Sequence, residues 1–424
     1  MKQALQEYLA NSYTAYHACD NAKAFLLENG FTLLKETEDW DLSEGGKYFV
    51  ERNGSALIAF CIGGLDNFSY KITASHLDSP ALKLKENAVM EGDGYATLNM
   101  ESYGGGIWYS FFDRPLKIAG RMIFCENGTL RAQTVASDFN VTIPSVAVHM
   151  NREVNDSFAV KVQTDMRPLF ALSENGVDCL SAIANGNTPV SYDLYLVNAD
   201  TPYSFGLNDE FLASPRIDNL TSAYASLMAL VSHANSDGIC VAALLDNEEV
   251  GSGTLQGAGS DFLENVLRRI AYALRFDDNE YYKALASSFL LSVDNAHARH
   301  PNHPEKSDPT NKTLLGGGVV IKAHANRAYT TDAVSSAVVK TILDKAGVKR
   351  QSFFNHSNLR SGGTLGAISL SHVGVMSADI GIAQLAMHSA CESFAYSDYV
   401  EMVNGLTAFY SSDIAMENGS VTIR

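Results

Sequence analysis

Apolar positions along the chain change their period twice. Residues 3–29 place Ala22, Phe25 and Leu26 at i, i+3, i+4 spacing and end at Gly30, which predicts helix over that stretch. Short apolar runs follow, SALIAFCI (55–62) and YKITAS (70–75), and read as strands. From about 86 to 209 glycines, tyrosines and short alternating segments dominate, among them FAVKV (158–162) and YDLYLV (192–197), and long helical periodicity is absent. After SPRIDN (214–219) the earlier rhythm returns. LTSAYASLMALVSHA and DFLENVLRRIAYAL predict helices, while CVAALL (240–245), FLLSV (289–293), GVVIKA (318–323) and VGVMSA (373–378) predict buried strands. Near-continuous apolar strands suit a sheet covered by helices on both faces. The expected fold class is therefore α/β, a mixed sheet flanked by helices. Residues 1–85 plus 210–424 would form this discontinuous domain, with 86–209 as an inserted β-rich domain.

Composition narrows the setting. Of 424 residues, 46% are hydrophobic and 19% charged, the balance of a globular protein. No run approaches the ~20 uninterrupted apolar residues of a membrane helix. The opening MKQALQEYLANSY lacks the basic, apolar, small-residue order of a signal peptide. Six cysteines stand singly with no C-x-x-C pair, as expected of reduced thiols. Together these features predict a cytoplasmic protein. The net charge of −17 makes nucleic acid and anionic membranes poor partners. It says little about a small substrate, because charges beyond ~8 Å are largely screened.

Candidate chemistry gathers at strand ends. His76 and Asp78 follow YKITAS, Glu248 and Glu249 follow CVAALLDN, and Asp294 follows FLLSV. In open α/β sheets the ligand crevice lies at the carboxyl ends of strands, so these residues should share one edge. Asp218 in PRIDN and His388 in AMHSACE complete the set. Alone, an aspartate at a strand end reads as a cap or turn former, and a lone histidine as a hydrogen-bonded structural residue. The paired glutamates at the mouth of an apolar strand are harder to leave unpartnered, because they repel each other and lose solvation. Two histidines and three carboxylates are the mixture that two zinc ions ~3.5–4 Å apart would use, with one carboxylate shared and a further one free to move a proton. Manganese or cobalt would suit oxygen-rich ligands too. No G-x-S-x-G elbow occurs, and GSGTLQGAGS lacks the lysine and spacing of a phosphate loop. His297, His300 and His303 recur at three-residue intervals, but Pro301 and Pro304 oppose a helix and predict a loop beside the main site.

The segments ASHLDSP, SPRIDNLTSAYASL, LLDNEEVGSGTLQGA, SVDNAHARHPNHPEK, IKAHANRAYTTDA and IAQLAMHSACE resemble the M18 metallopeptidases, the aspartyl aminopeptidase family, from about residue 6 to 413. The resemblance implies a zinc aminopeptidase-like catalytic domain acting on the N-termini of peptides, preferably on Asp or Glu. It implies His76, Asp218 and Asp294 as ligands of one zinc, and Asp218, Glu249 and His388 as ligands of the other. Asp78 would orient His76, and Glu248 would be the general base. Lys322 would face the acidic side chain. His149 in the inserted domain would reach a neighbouring subunit's active site, in dimers that assemble into a twelve-subunit homo-oligomer. Leu77, Asn358 and Cys391 depart from the family's usual threonine, acidic residue and arginine, which bears on rate and substrate preference. Competing expectations are a two-metal aminopeptidase of neutral or broad specificity, a deacylase on a similar core, and a catalytically silent scaffold.

Overall fold

The computed structural model describes residues 1–173, 178–233, 237–359, 362–417 and 420–424. Its largest sheet has nine strands, in the order Thr32–Leu34, Lys47–Arg52, Ala56–Ile62, Ile239–Leu245, Tyr70–His76, Phe289–Val293, Met376–Gly381, Val319–Lys322, Arg350–Phe353. The four strands from Ile239–Leu245 to Met376–Gly381 run parallel, and antiparallel neighbours flank them on both sides. The central strands Ile239–Leu245, Tyr70–His76 and Phe289–Val293 are buried along their whole length. Helices cover both faces for that reason. One face packs Leu220, Leu227, Val339, Ile342, Met402 and Leu406 from three helices, and the other packs Phe262, Val266, Ile270 and Tyr281 from two more. The mixed, helix-flanked α/β architecture expected from the sequence is the one observed.

A six-stranded antiparallel sheet is built from strands between Ala81 and Asn198 and has its own apolar cluster, with Leu82, Leu98, Ile118 and Leu194 fully buried. A third sheet joins Tyr203–Phe205, Phe211–Ser214, Glu392–Ala395, Ala383–Leu385 and Ala296–His297. Among the described residues no helix is long and apolar enough to cross a membrane. None of the six cysteines is in a disulfide.

Local departures from the sequence reading have local causes. The first helix stops at Asn11 and a second starts at Ala15. Asn21 donates to the Ser12 hydroxyl, and Thr14 pairs with His17 Nδ1, so side chains in the break compete with helical backbone bonding. FAVKV forms no strand: the Lys161 N–H bonds to the Asp165 carboxylate and Val162–Asp165 closes a helical turn. The strand expected over 373–378 instead spans Met376–Gly381. Val373 is held by a backbone bond to Ser369 O, and Val375 by one to Val373 O.

Candidate metal centre

The parallel strands deliver their carboxyl ends to one edge. Tyr70–His76 ends on His76 itself. Ile239–Leu245 leads through Asp246 and Asn247 into the turn Glu248–Val250. Phe289–Val293 hands on to Asp294. The helix Ile217–Ser232 is entered through Arg216 at φ 59°, and Asp218 keeps non-helical angles inside it. His388 comes from the loop before the strand Glu392–Ala395 and also sits in the left-handed region, at φ 67°.

Asp218 lies between the two histidines. Its Oδ1 is 3.7 Å from His76 Nε2, and its Oδ2 is 3.3 Å from His388 Nε2. His76 Nε2 is also 3.7 Å from Asp294 Oδ1, and His388 Nε2 is 3.3 Å from Glu249 Oε1. The groups His76–Asp218–Asp294 and Asp218–Glu249–His388 therefore share one carboxylate, and within each the candidate ligand atoms lie within 4.8 Å of one another. Glu248 joins a third such group with His76 and Glu249.

The donor set fits divalent cations. Asp218 Oδ1 and Glu249 Oε1 are buried without a hydrogen-bond partner, an arrangement that costs ~1–3 kcal/mol per atom when nothing compensates. The 3.3–3.7 Å separations exceed ordinary N–H···O lengths. Imidazole nitrogens and carboxylate oxygens in this mixture are zinc ligands.

The electrostatics of the metal-free chain follow from the same crowding. Burial opposes charge on His388, but its ion pairs with Asp218 and Glu249 lift it to about 11. Burial likewise opposes charge on His76, and Asp294 and Asp78 overcome it, raising the pKa. Burial raises Glu248 to about 8 and raises Glu249 as well. Asp294 is lowered despite its burial, by Lys322 first and His76 next.

Surrounding contacts fix these side chains. Asp78 is 4% exposed and accepts the backbone N–H groups of Glu248 at 3.0 Å (Oδ1) and Glu249 at 3.1 Å (Oδ2). His76 Nδ1 lies 3.0 Å from the Asp78 carbonyl and 3.4 Å from Oδ1. Asp78 thus contacts the acidic turn as well as the imidazole, and the sequence suggested only the second of these. Three further residues escaped the sequence reading. Tyr103, on the second sheet, donates to Asp78 Oδ2 at 2.7 Å. The Gly105 carbonyl lies 2.9 Å from His388 Nδ1. Buried Glu392 accepts the backbone N–H groups of Asp218 and His388. The acidic residue of MHSACE was the one visible signal among them.

The remaining candidates are placed as follows. Lys322 is 2% exposed; its ammonium donates to the carbonyls of Asp294 at 2.8 Å and Asn295 at 3.3 Å, lies 3.7 Å from Asp294 Oδ2, and sits 5.1 Å from the Tyr329 ring centroid. His149 is exposed on a turn of the segment after Ile143. His297 belongs to a two-residue strand, and His300 and His303 lie 5.2 Å apart in an exposed loop. Among the described residues none of the three enters a metal-capable group. Leu77 is buried in the cluster that also holds Ile217 and Leu220. Asn358 is exposed, and Cys391 is half-buried.

Comparison with known proteins agrees with this architecture. The profile of a family described as aminopeptidase I zinc metalloprotease (M18) matches residues 8–410. A probable M18 family aminopeptidase 2 of Clostridium acetobutylicum is 38% identical over 422 residues, covering 96% of this chain and 98% of that protein. The counterpart in Stutzerimonas stutzeri is 35% identical, covering 97% and 98%. Among solved structures, the chain matched in the cryo-EM structure of the Ape4 and Nbr1 complex superposes with a TM-score of 0.92 at 32% identity, covering 96% of this chain and 85% of that one. The S. cerevisiae mApe1 dodecamer gives 0.82 at 27% identity, with 96% and 95% coverage. A fold with this sheet edge, and a family match over nearly its whole length, lead to one conclusion: the chain belongs to the M18 family of zinc metallo-aminopeptidases.

Proposed function

We propose that this aminopeptidase works with two zinc ions that share Asp218. The observation carrying the reading is that the two oxygens of Asp218 face different histidines, each paired with its own carboxylate. His76, Asp218 and Asp294 would hold one ion, and Asp218, Glu249 and His388 the other. Bound there, the ions would polarise the scissile carbonyl and lower the pKa of water. Glu248 takes the proton from the attacking water and passes it to the leaving amine as the C–N bond breaks. Burial suits it to this shuttle by raising its carboxyl toward neutrality, and nearby cations would draw that value down again. Asp78 holds Glu248 and Glu249 in place through their backbone N–H groups.

The same reading extends to preference for N-terminal Asp or Glu, supported by the single ammonium of Lys322 beside Asp294. A charge-assisted bond to an acidic side chain would use that charge. One observation favours neutral or broad specificity instead: Lys322 is buried and already bonded to two carbonyls. Exposed His149 supports the proposal that it completes a neighbouring subunit's site. The second sheet would then serve assembly as well, in a homo-oligomer that the likeness to the mApe1 dodecamer extends to twelve subunits. Six cysteines outside any disulfide suit a cytoplasmic location. Release of each amino acid from a panel of X-amides, with chelator and then with zinc restored, tests the activity and the preference together. Asp- and Glu-amides turning over fastest support the acidic pocket, and equal rates across the panel support broad specificity.

A further inference from the structure

The two halves of the centre share Asp78 as a contact and otherwise draw on different parts of the fold. Around His76 and Asp294 the contacts come from the large sheet and the loop just after its strand Tyr70–His76: the Asp78 carbonyl and Oδ1 at His76 Nδ1, and Lys322 on the Asp294 carbonyl. Around His388 and Glu249, besides Glu392 on the His388 N–H and Asp78 on the Glu249 N–H, they come from the end of the strand Tyr95–Tyr103, in the second sheet, and the residues just after it. The Gly105 carbonyl lies 2.9 Å from His388 Nδ1, so the Nδ1–H donates to it and Nε2 faces Asp218 and Glu249, where it would offer a lone pair to a metal once deprotonated. Ile107 N–H donates to the His388 carbonyl at 2.9 Å. Tyr103 donates to Asp78 Oδ2, the oxygen that also takes the Glu249 N–H. Gly104 has φ +70°, and a Cβ there would lie 3.1 Å from Glu249 Cβ and 3.5 Å from its Oε2. Only glycine occupies that position without strain or a push on Glu249.

We propose that Tyr103, Gly104 and Gly105 form a positioning element for the His388–Glu249 half of the centre, so that the second sheet sets the hold on that zinc more strongly than on the other, which it reaches only through Asp78. This rests on the two-zinc reading above. A bond from a ligand's far nitrogen typically carries ~10–100-fold in metal affinity, and the asymmetry places that sensitivity on one ion. The test is anomalous scattering at the zinc edge from crystals of the full chain equilibrated at limiting zinc, comparing wild type, Gly104→Ala and Tyr103→Phe. Tyr103→Phe keeps the ring and removes only the hydroxyl, which covers the case of Gly104→Ala failing to fold. The expected result is occupancy between Asp218, Glu249 and His388 reduced at least about fivefold, with occupancy between His76, Asp218 and Asp294 changed less than about twofold. Equal loss at both positions, or no loss at either, overturns this inference alone. Wild-type crystals without an ion between Asp218, Glu249 and His388 overturn the two-zinc reading and this inference with it.

Discussion

Glu392 accepts the backbone N–H of Asp218 at 2.9 Å through Oε2, from a side chain that is 2% exposed. Its other oxygen takes the His388 N–H at 2.6 Å. One buried carboxylate therefore fixes the backbones of both Asp218 and His388. Glu392→Gln sets an amide NH2 against one of those N–H donors. The expected cost is ~1–3 kcal/mol of stability and weaker zinc retention. Tm and bound zinc per chain, measured on the same preparation, check both.

Asp218→Asn keeps the shape and removes the shared charge. Because both groups of three use Asp218, neither ion should be retained. We expect zinc content near zero after dialysis and kcat/KM down by more than about 10²-fold, beyond the ~10–100-fold attached to groups that merely orient ligands.

Glu248→Gln separates chemistry from binding. Loss of a general base costs ~10²–10⁴-fold in rate, and zinc content should stay at the wild-type level. Glu249→Gln should instead lower zinc content together with rate. Metal analysis beside kcat for the two variants distinguishes neighbours in one turn.

Zinc binding should release protons. His388 is held at about 11, and His76 is raised, in the metal-free chain, and an imidazole must be neutral to bind metal. At pH 7 both imidazoles should therefore give up a proton, joined by Glu248 as the ions draw its value of about 8 down, and zinc affinity should rise with pH. Calorimetry in two buffers of different ionisation enthalpy reads the count directly. In the metal-free protein the sign reverses: the ion pairs of His388 stabilise the fold fully below its unfolded value of ~6.5. That contribution is lost as pH rises through about 11.

Lys322→Met removes the ammonium and keeps the stem. If the charge serves acidic substrates, turnover of Asp- and Glu-amides should fall by more than about tenfold while leucyl-amide turnover is spared, a charge-assisted bond being worth ~1.5–3 kcal/mol. If the charge serves mainly to hold Asp294, all substrates should lose equally. Initial rates on the three amides decide.

What the chain discloses unaided depends on contact range. His76, Glu248, Glu249 and Asp294 were legible because each follows an apolar run, and parallel sheets put such positions on one edge. The helix-flanked sheet was legible for the same reason. Tyr103 and Gly105 were not: their partners are Asp78 and His388, and the distance from Gly105 to His388 is 283 positions along the chain. No local pattern encodes such a contact. Lys322 was legible as a strand-end cation, but its bonds to the Asp294 and Asn295 carbonyls depend on how neighbouring strands pair. FAVKV shows the opposite limit, where alternation was present and a side chain–backbone bond between Asp165 and Lys161 won.

The most direct test of the central claim is a zinc titration of the chelator-stripped chain, with aminoacyl-amide hydrolysis and bound metal read in parallel. Two ions per chain, with full activity reached only as the second binds, is the predicted result. Full activity with one ion bound, or saturation at a single ion, would contradict it.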